Sequence, residues 1–201
     1  MSECLKTVFR QFHYITFMNF DLQPTLSNDL IEVVPLKAGD FEKLYAVASD
    51  PLIWEQHPNK DRYKREVFEN FFKGAIESKG AFIVYDIATG NVVGSSRYYE
   101  VDEEHGSVAV GYTFIGRNYW GKGHNASLKK LMLDYAVQFV ERIILHIGAT
   151  NFRSQKATEK LGAKKIGEQE IAYYGESVKW NFVYQIDKSD WMQHLQLSTN
   201  K

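Results

Sequence analysis

Between residues 107 and 140 the hydrophobic period changes from two to 3.6 across a glycine-rich turn, and this switch restricts the fold more than any other feature. Val108, Val110, Tyr112 and Phe114 alternate along 107–115, which places every second side chain on one face of a strand. After Trp120-Gly121-Lys122-Gly123-His124-Asn125, the residues Leu128, Leu131, Met132, Tyr135, Ala136 and Phe139 recur at helical spacing. A helix is therefore expected over 124–140. A strand that runs through a tight turn into an amphipathic helix needs a layered α/β architecture to bury both apolar faces.

The flanking elements agree. Leu30-Ile31-Glu32-Val33-Val34-Pro35 reads as a strand ending at its proline. Asp40 stands as an N-cap for a helix to about Ala48, with Phe41, Leu44, Tyr45 and Ala48 on one face, closed by Asp50-Pro51. A second helix is expected over 64–78, striped by Val67, Phe68, Phe71, Phe72, Ala75 and Ile76, with Gly80 placed to cap it. Strands at 81–86, 92–101 and 107–115, joined by turns at Thr89-Gly90-Asn91 and Asp102-Glu103-Glu104-His105-Gly106, make an antiparallel meander. Beyond the glycine turn come an apolar strand at 143–148 broken only by His146, a helix at 153–161 ended by Gly162, and a strand at 163–172. Val178, Trp180, Phe182, Tyr184 and Ile186 then alternate with more polar residues in a last strand. The sum is an α/β (or α+β) domain: a mixed sheet of about seven strands flanked by about four helices.

The 201 residues suit one domain, expected at 29–187, with an extension at 1–28, in which Met18 is an alternative start, and a tail at 188–201. Hydrophobic residues are 44% of the chain, enough for a substantial core, and the formal charge of −1 argues against nucleic acid as the main partner. Cys4 has no second cysteine to pair with, which fits a reducing compartment. No apolar run approaches the roughly 18 residues that span a bilayer. The opening MSECLKTVFRQFHYITFMNF has no apolar core of a secretory signal, so no membrane partner and a cytoplasmic location are expected. With no histidine pair at ligand spacing and no cysteine cluster, no metal is expected.

A glycine turn between strand and helix has a chemical use besides reversing the chain. The free N–H groups and positive dipole end of the helix make an anion cradle. Gly121 and Gly123 let backbone approach a phosphate, Lys122 adds charge, and the helix carries no acid before Asp134. A Walker-type string is absent. The string Gly121-Lys122-Gly123-His124-Asn125-Ala126 satisfies the dinucleotide pattern G-x-G-x-x-A, but the stretch His146-Ile147-Gly148-Ala149-Thr150 offers no acid for a ribose, and the motif follows a meander.

The stretch from Ile115-Gly116-Arg117-Asn118-Tyr119-Trp120-Gly121-Lys122-Gly123 through Leu131-Met132-Leu133-Asp134-Tyr135-Ala136 resembles the CoA-binding motif of the GNAT superfamily of N-acetyltransferases. It is most similar to the RimJ/RimL-type branch of ribosomal-protein alanine acetyltransferases. Asn151-Phe152-Arg153-Ser154 and Glu159-Lys160-Leu161-Gly162-Ala163 resemble that branch's second block. The resemblance implies a mostly antiparallel sheet, splayed at one strand pair. It further implies acetyl-CoA as co-substrate, its pantetheine on the backbone of Thr113 and Ile115 and its pyrophosphate on Trp120, Gly121, Lys122, Gly123, His124 and Asn125. Asn151 and Ser154 would face the thiol end, with Ser154 protonating the leaving thiolate. Against this, an Asn before a helix is often an N-cap, and His124 reads equally as a surface residue.

The sequence departs from the family at two places. Ala109 stands two residues before the Gly111-Tyr112 pair, where many relatives carry a glutamate base, and Asn125 stands where Ala or Gly is usual. The base then falls to Glu100, Glu55, His57 or a chain of waters. Tyr98, Tyr99, Tyr173, Tyr174 and Trp54, with Glu100, Asp102 and Glu103, could frame a cationic acceptor, or the aromatics could fill the core and the acids decorate a hairpin tip. The expected function is acetyl transfer from acetyl-CoA to a primary amine by direct attack in a ternary complex, by a monomer or homodimer. A CoA-binding module without catalysis and a nucleotide-binding oxidoreductase are the alternatives.

Overall fold

The computed structural model describes residues 20–199. The residues before 20, including Cys4 and Met18, lie outside it. In chain order the elements are β1 (Leu26–Ser27), β2 (Ile31–Pro35), α1 (Phe41–Ala48), α2 (Arg65–Glu77), β3 (Ala81–Asp86), β4 (Val92–Asp102), β5 (Ser107–Ile115), α3 (His124–Ala136), β6 (Arg142–Gly148), α4 (Phe152–Glu159), β7 (Lys164–Ile171), β8 (Lys179–Asp187) and α5 (Lys188–Thr199). The eight strands form one sheet in the order β1-β2-β3-β4-β5-β6-β8-β7. Every neighbouring pair is antiparallel except β5 and β6.

The expected architecture is thus present, with one strand and one helix more than anticipated. β1 has two residues, too few for any period to register. α5 begins directly at the end of β8 and is anchored by Trp191, which is buried and donates its indole N–H to Asp134 across 2.9 Å. Residues 188–199 therefore form a helix that packs on α3.

Three local expectations are corrected. Asp40 does not cap α1 with its side chain; its carboxylate accepts the backbone N–H of Lys37 at 3.0 Å, closing a short 3-10 turn ahead of the helix. At the end of α2 the left-handed residue is Lys79 (φ 51), not Gly80. Gly80 is needed for another reason: a Cβ there would collide with the Tyr98 carbonyl oxygen. α3 ends at Ala136, after which Gln138 and Phe139 bond back to Tyr135 and Ala136 and tighten the chain into i→i−3 turns. Phe139 still points into the core, stacked 5.2 Å from Phe20.

The sheet separates two apolar layers. On one side Val33, Phe82, Val108, Val110 and Leu145 pack against Leu128, Met132 and Leu133 of α3. On the other, Ile83 and Phe114 pack with Leu44 of α1 and Phe68, Phe71 and Phe72 of α2. Paired residues on adjacent strands share a face, so Tyr98 with Val110 belongs to the α3 side, and Tyr99 with Ala109 to the opposite side.

The feature that positions the site lies in the middle of the sheet. β5 pairs with β6 only through Ser107–Arg142, Val108–Ile143 and Ala109–Ile144. Beyond Ala109 the strands part. A bulge accompanies the divergence: Ser95 opposes Phe114 while Arg97 opposes Gly111, so β5 carries an extra residue, and Tyr112 takes a left-handed φ of 53. β6 meanwhile stays paired with β8 as far as Gly148 and Asn181. No helix among the described residues is long and apolar enough to cross a membrane.

Candidate functional site

The parting of β5 and β6 opens a cleft of about 480 Å³ that passes through the sheet. At the α3 side its mouth is the glycine turn. Gly121 (φ 73) and Gly123 (φ 86) both occupy the left-handed region. Their conformation leaves the backbone N–H groups of Gly121, Gly123, His124 and Asn125 with no backbone acceptor among the described residues. These donors gather at the start of α3, where the helix dipole is positive, which is the arrangement an anionic group requires. Trp120, Gly121, Gly123 and Asn125 line the cleft, and Lys122 is exposed beside it.

The neighbouring side chains brace this mouth. The Trp120 indole N–H donates to the Ile115 carbonyl at 2.8 Å, and the Arg153 guanidinium lies 4.1 Å from the Trp120 ring. The Ile115 carbonyl is therefore already engaged from within the chain. His124 is not a surface residue. It is 4% exposed, its Nε2 is 2.9 Å from Asp86, and its ring packs 4.7 Å from Tyr119. The hydrogen bond from His124 holds the Asp86 carboxyl below the usual range. The side chain thus ties the start of α3 to the end of β3, while its backbone N–H remains at the cradle.

Thr113 and Lys129 line the cleft wall on the α3 side. Lys129 Nζ donates to Thr113 Oγ1 at 2.7 Å, and Ser96 Oγ lies 2.8 Å from the same threonine oxygen. Burial lowers the Lys129 pKa to about 7. Asn151 and Ser154 also line the cleft, at the start of α4. The Asn151 Oδ1 accepts the Ser154 backbone N–H at 3.1 Å, so the N-cap anticipated for Asn151 is formed.

Across the sheet the cleft is walled by Trp54, His57, Arg62, Tyr99, His146 and Tyr173. Arg62 is buried and ion-paired to Glu176 at 2.7 Å, and its Nη1 lies 3.1 Å from His57 Nε2. His57 Nδ1 is met by the Asn59 backbone, so both its ring nitrogens are committed. Burial, then the charge of Arg62, pushes the His57 pKa well down. Tyr99 Oη and His146 Nδ1 are 2.9 Å apart, and His146 Nε2 lies 3.1 Å from the Gln169 side-chain amide. The Glu100 carboxylate, mostly exposed, comes within 3.9 Å of His146 Nδ1. Desolvation raises the Glu100 pKa and lowers that of His146.

Of the residues expected to frame an acceptor, Trp54, Tyr99 and Tyr173 reach the cleft and the rest do not line it. Tyr98 faces α3 and donates its hydroxyl to the Met132 carbonyl at 2.5 Å. Tyr174 is exposed, and Asp102 binds His105 at the hairpin tip. Glu55 is exposed on the surface. Lys129, Arg62 and His146 are polar cleft residues not anticipated as part of the site. His146 carried a legible signal as the lone ring nitrogen donor in an otherwise apolar strand. Lys129 lies one helical turn after Asn125, also a cleft residue.

The β5–α3–β6 unit is a parallel βαβ crossover, which the dinucleotide pattern needs and which the meander had argued against. Its strands separate after three pairs, however, and no carboxylate stands in the stretch 146–150 at the end of β6. Among the described residues no group of three or more His, Cys, Asp or Glu could hold a metal.

Comparison with known proteins converges on one family. The sequence profile of the acetyltransferase (GNAT) domain matches residues 31–164, about two-thirds of the chain. An uncharacterized N-acetyltransferase p20 from Bacillus licheniformis is 31% identical over 81 residues, covering 39% of this chain and 45% of its own length. The aligned stretch thus spans less than half of that relative. Among solved structures, a GCN5-related N-acetyltransferase from Brucella melitensis superposes with a TM-score of 0.73 at 19% identity, covering 85% of this chain and 81% of that one. A spermidine N-acetyltransferase from Vibrio cholerae, in complex with CoA and spermine, superposes with a TM-score of 0.63 at 19% identity, covering 82% and 99%. With the profile spanning the meander, the glycine turn and both strands of the cleft, the chain belongs to the GNAT acetyltransferase family.

Proposed function

We propose that this protein is an N-acetyltransferase that moves the acetyl group of acetyl-CoA to a primary amine by direct attack in a ternary complex. The observation that carries this is the cleft: a phosphate cradle on one face of the sheet opens through the β5–β6 gap to an aromatic pocket on the other. A long cofactor arm fits such a passage. Its pyrophosphate would sit on Gly121, Gly123, His124 and Asn125, with Trp120 and Lys122 beside it, and its pantetheine along the edge of β5 at Thr113 and at Ile115, whose carbonyl it would share with the Trp120 indole. The thioester would then emerge where the acceptor enters. Holding the amine and thioester together supplies much of the rate. Asn151 and Ser154 flank the thiol end, and Ser154 is the group assigned to protonate the leaving thiolate.

The acceptor is a small amine or a protein N-terminus, the latter in keeping with the RimJ/RimL-like motifs. The acetyltransferase domain is assigned to 29–187, with β1 ahead of it and α5 after it packed onto the same domain, working as a monomer or homodimer. The second reading, a CoA-binding module without turnover, is favoured by one observation: Ala109 offers no base. Thiol release separates the two. Acetyl-CoA is incubated with a panel of N-terminal peptides, amino sugars and polyamines, and free CoA is measured. Release above background with at least one amine is expected. Calorimetric binding of acetyl-CoA without any release would favour the binding module, and no binding at all would overturn both.

A further inference from the structure

An acceptor amine is mostly protonated at neutral pH and must lose a proton before it can attack. The donor cradle lies on the α3 side of the sheet, so the amine approaches from the opposite side. There Tyr99, Tyr112, His57, His146 and Tyr173 are the titratable groups lining the cleft besides Arg62, which is paired to Glu176, and the Tyr112 ring is covered by the Arg97 guanidinium at 4.0 Å. His57 has no uncommitted nitrogen. Tyr173 donates its hydroxyl to Asn181 at 2.7 Å.

Tyr99 and His146 are placed differently. Ala109–Ile144 is the last pair before the strands part. The next residues facing the acceptor side are Gly111 on β5 and His146 on β6, so these two border the gap where it opens. Tyr99, paired with Ala109 on β4, lies across Gly111; a Cβ at Gly111 would come within 3.0 Å of the Tyr99 ring and its hydroxyl. The ring crosses the glycine and ends 2.9 Å from His146 Nδ1. Gly111 makes room for the phenol, which bridges the mouth of the gap.

We infer that Tyr99 and His146 form the proton relay of this enzyme: Tyr99 receives the proton of the acceptor ammonium while passing its own hydroxyl proton to His146 Nδ1. This rests on the acetyltransferase reading above. The free amine then attacks the thioester carbonyl carbon, the C–S bond breaks, and the second nitrogen proton reaches the departing thiolate by way of the Ser154 hydroxyl to give CoA–SH. His146, now an imidazolium, gives one proton to solvent and returns to the Nε2–H tautomer with Nδ1 bare, which the exposed Gln169 amide favours by turning its oxygen to Nε2–H. Tyr99 is the group that touches the acceptor, and His146 acts through it. Burial keeps the Tyr99 hydroxyl protonated and holds His146 neutral near pH 7, and both directions suit the resting state. The charged and titratable groups around the pair are Glu100 and Arg97 on β4, Tyr112 on β5 and Tyr173 after β7. Glu100 is the one placed to favour a transient imidazolium.

Two measurements test the relay. In steady-state kinetics, His146→Gln and Tyr99→Phe are each expected to lower kcat at pH 7 at least tenfold while the affinity for acetyl-CoA and the Tm stay near wild type. The acid limb of the wild-type kcat profile, expected below pH 7, should vanish in His146→Gln and leave a curve set by the amine's own ionisation. Wild-type kcat in both variants, or a loss that tracks acetyl-CoA affinity, would overturn it. Nitrogen-15 NMR of the His146 imidazole in the wild-type protein needs no turnover. A neutral ring bare at Nδ1 is expected at pH 7, whereas an imidazolium or an Nδ1–H tautomer rules the relay out. If the protein binds acetyl-CoA but acetylates no amine, the transferase reading fails on that result alone and the NMR still decides the relay geometry.

Discussion

Lys129 Nζ donates to Thr113 Oγ1 across 2.7 Å on the α3 side of the gap, placing a largely buried amine in the cleft wall. Burial alone lowers its pKa from 10.5 to about 7. A buried ammonium pays desolvation that an alcohol partner only partly offsets.

The consequence is a pH-dependent stability. The unfolded chain holds the Lys129 proton up to about pH 10.5 and the folded chain only to about 7, so in that window the unfolded state binds more proton. Stability is therefore lowest below pH 7 and rises through the window. Lys129→Met removes the charge at similar volume and should stabilise the protein by about 1–4 kcal/mol at pH 7, with the advantage fading towards pH 10. Urea unfolding at several pH values checks this. A uniform loss at every pH would mean that the ammonium is well accommodated.

The cradle depends on backbone conformation first and on charge second. Gly123 sits at φ 86, so Gly123→Val forces a β-branched residue into the left-handed region and should weaken CoA binding at least tenfold. Lys122→Ala should weaken it by about two- to fivefold, and less at high salt, because an exposed charge is screened. Calorimetry at two ionic strengths measures both, and equal, negligible effects would remove the cradle.

Arg62 and Glu176 form a buried pair, with side chains 1% and 7% exposed and 2.7 Å apart. Glu176→Gln leaves the guanidinium uncompensated and should destabilise by about 3–5 kcal/mol. Replacing both, as Arg62→Met with Glu176→Leu, should recover most of that. The urea midpoints of the three proteins decide it; a loss below about 0.5 kcal/mol in Glu176→Gln would show that the pair is dispensable.

Asn151 has a structural task that separates cleanly from a ligand contact. Asn151→Ala loses the cap on α4 and should destabilise by about 1 kcal/mol. Asn151→Asp keeps a capping oxygen, so stability should hold while the KM for acetyl-CoA rises through loss of the amide donor and the added negative charge. Thermal melts paired with KM measurements check the split. An unchanged KM in Asn151→Asp would confine this residue to capping.

Local chemistry made the meander, the glycine cradle and the helix after it legible from the chain, because strand period, turn glycines and helical stripes each act over a few residues. Gly121 and Gly123 take the left-handed conformations that only a glycine accepts freely, and the mouth of the cleft at the start of α3 could be anticipated from them. The opposite end could not. Asp102 and Glu103, adjacent in sequence to the aromatics, fall at a hairpin tip, while His146, from a strand that reads as core, comes within 2.9 Å of Tyr99 on a strand 47 residues earlier. Arg62 likewise meets Glu176 across 114 residues. Such contacts follow from which strands pair, where β5 leaves β6 after Ala109, and which face of the sheet each side chain then shares. No local pattern encodes these, since the same residues in another register would face the opposite layer. The sequence alone determined the strands, the glycine turn and the helix after it; the tertiary structure decided which side chains meet on the far side of the gap.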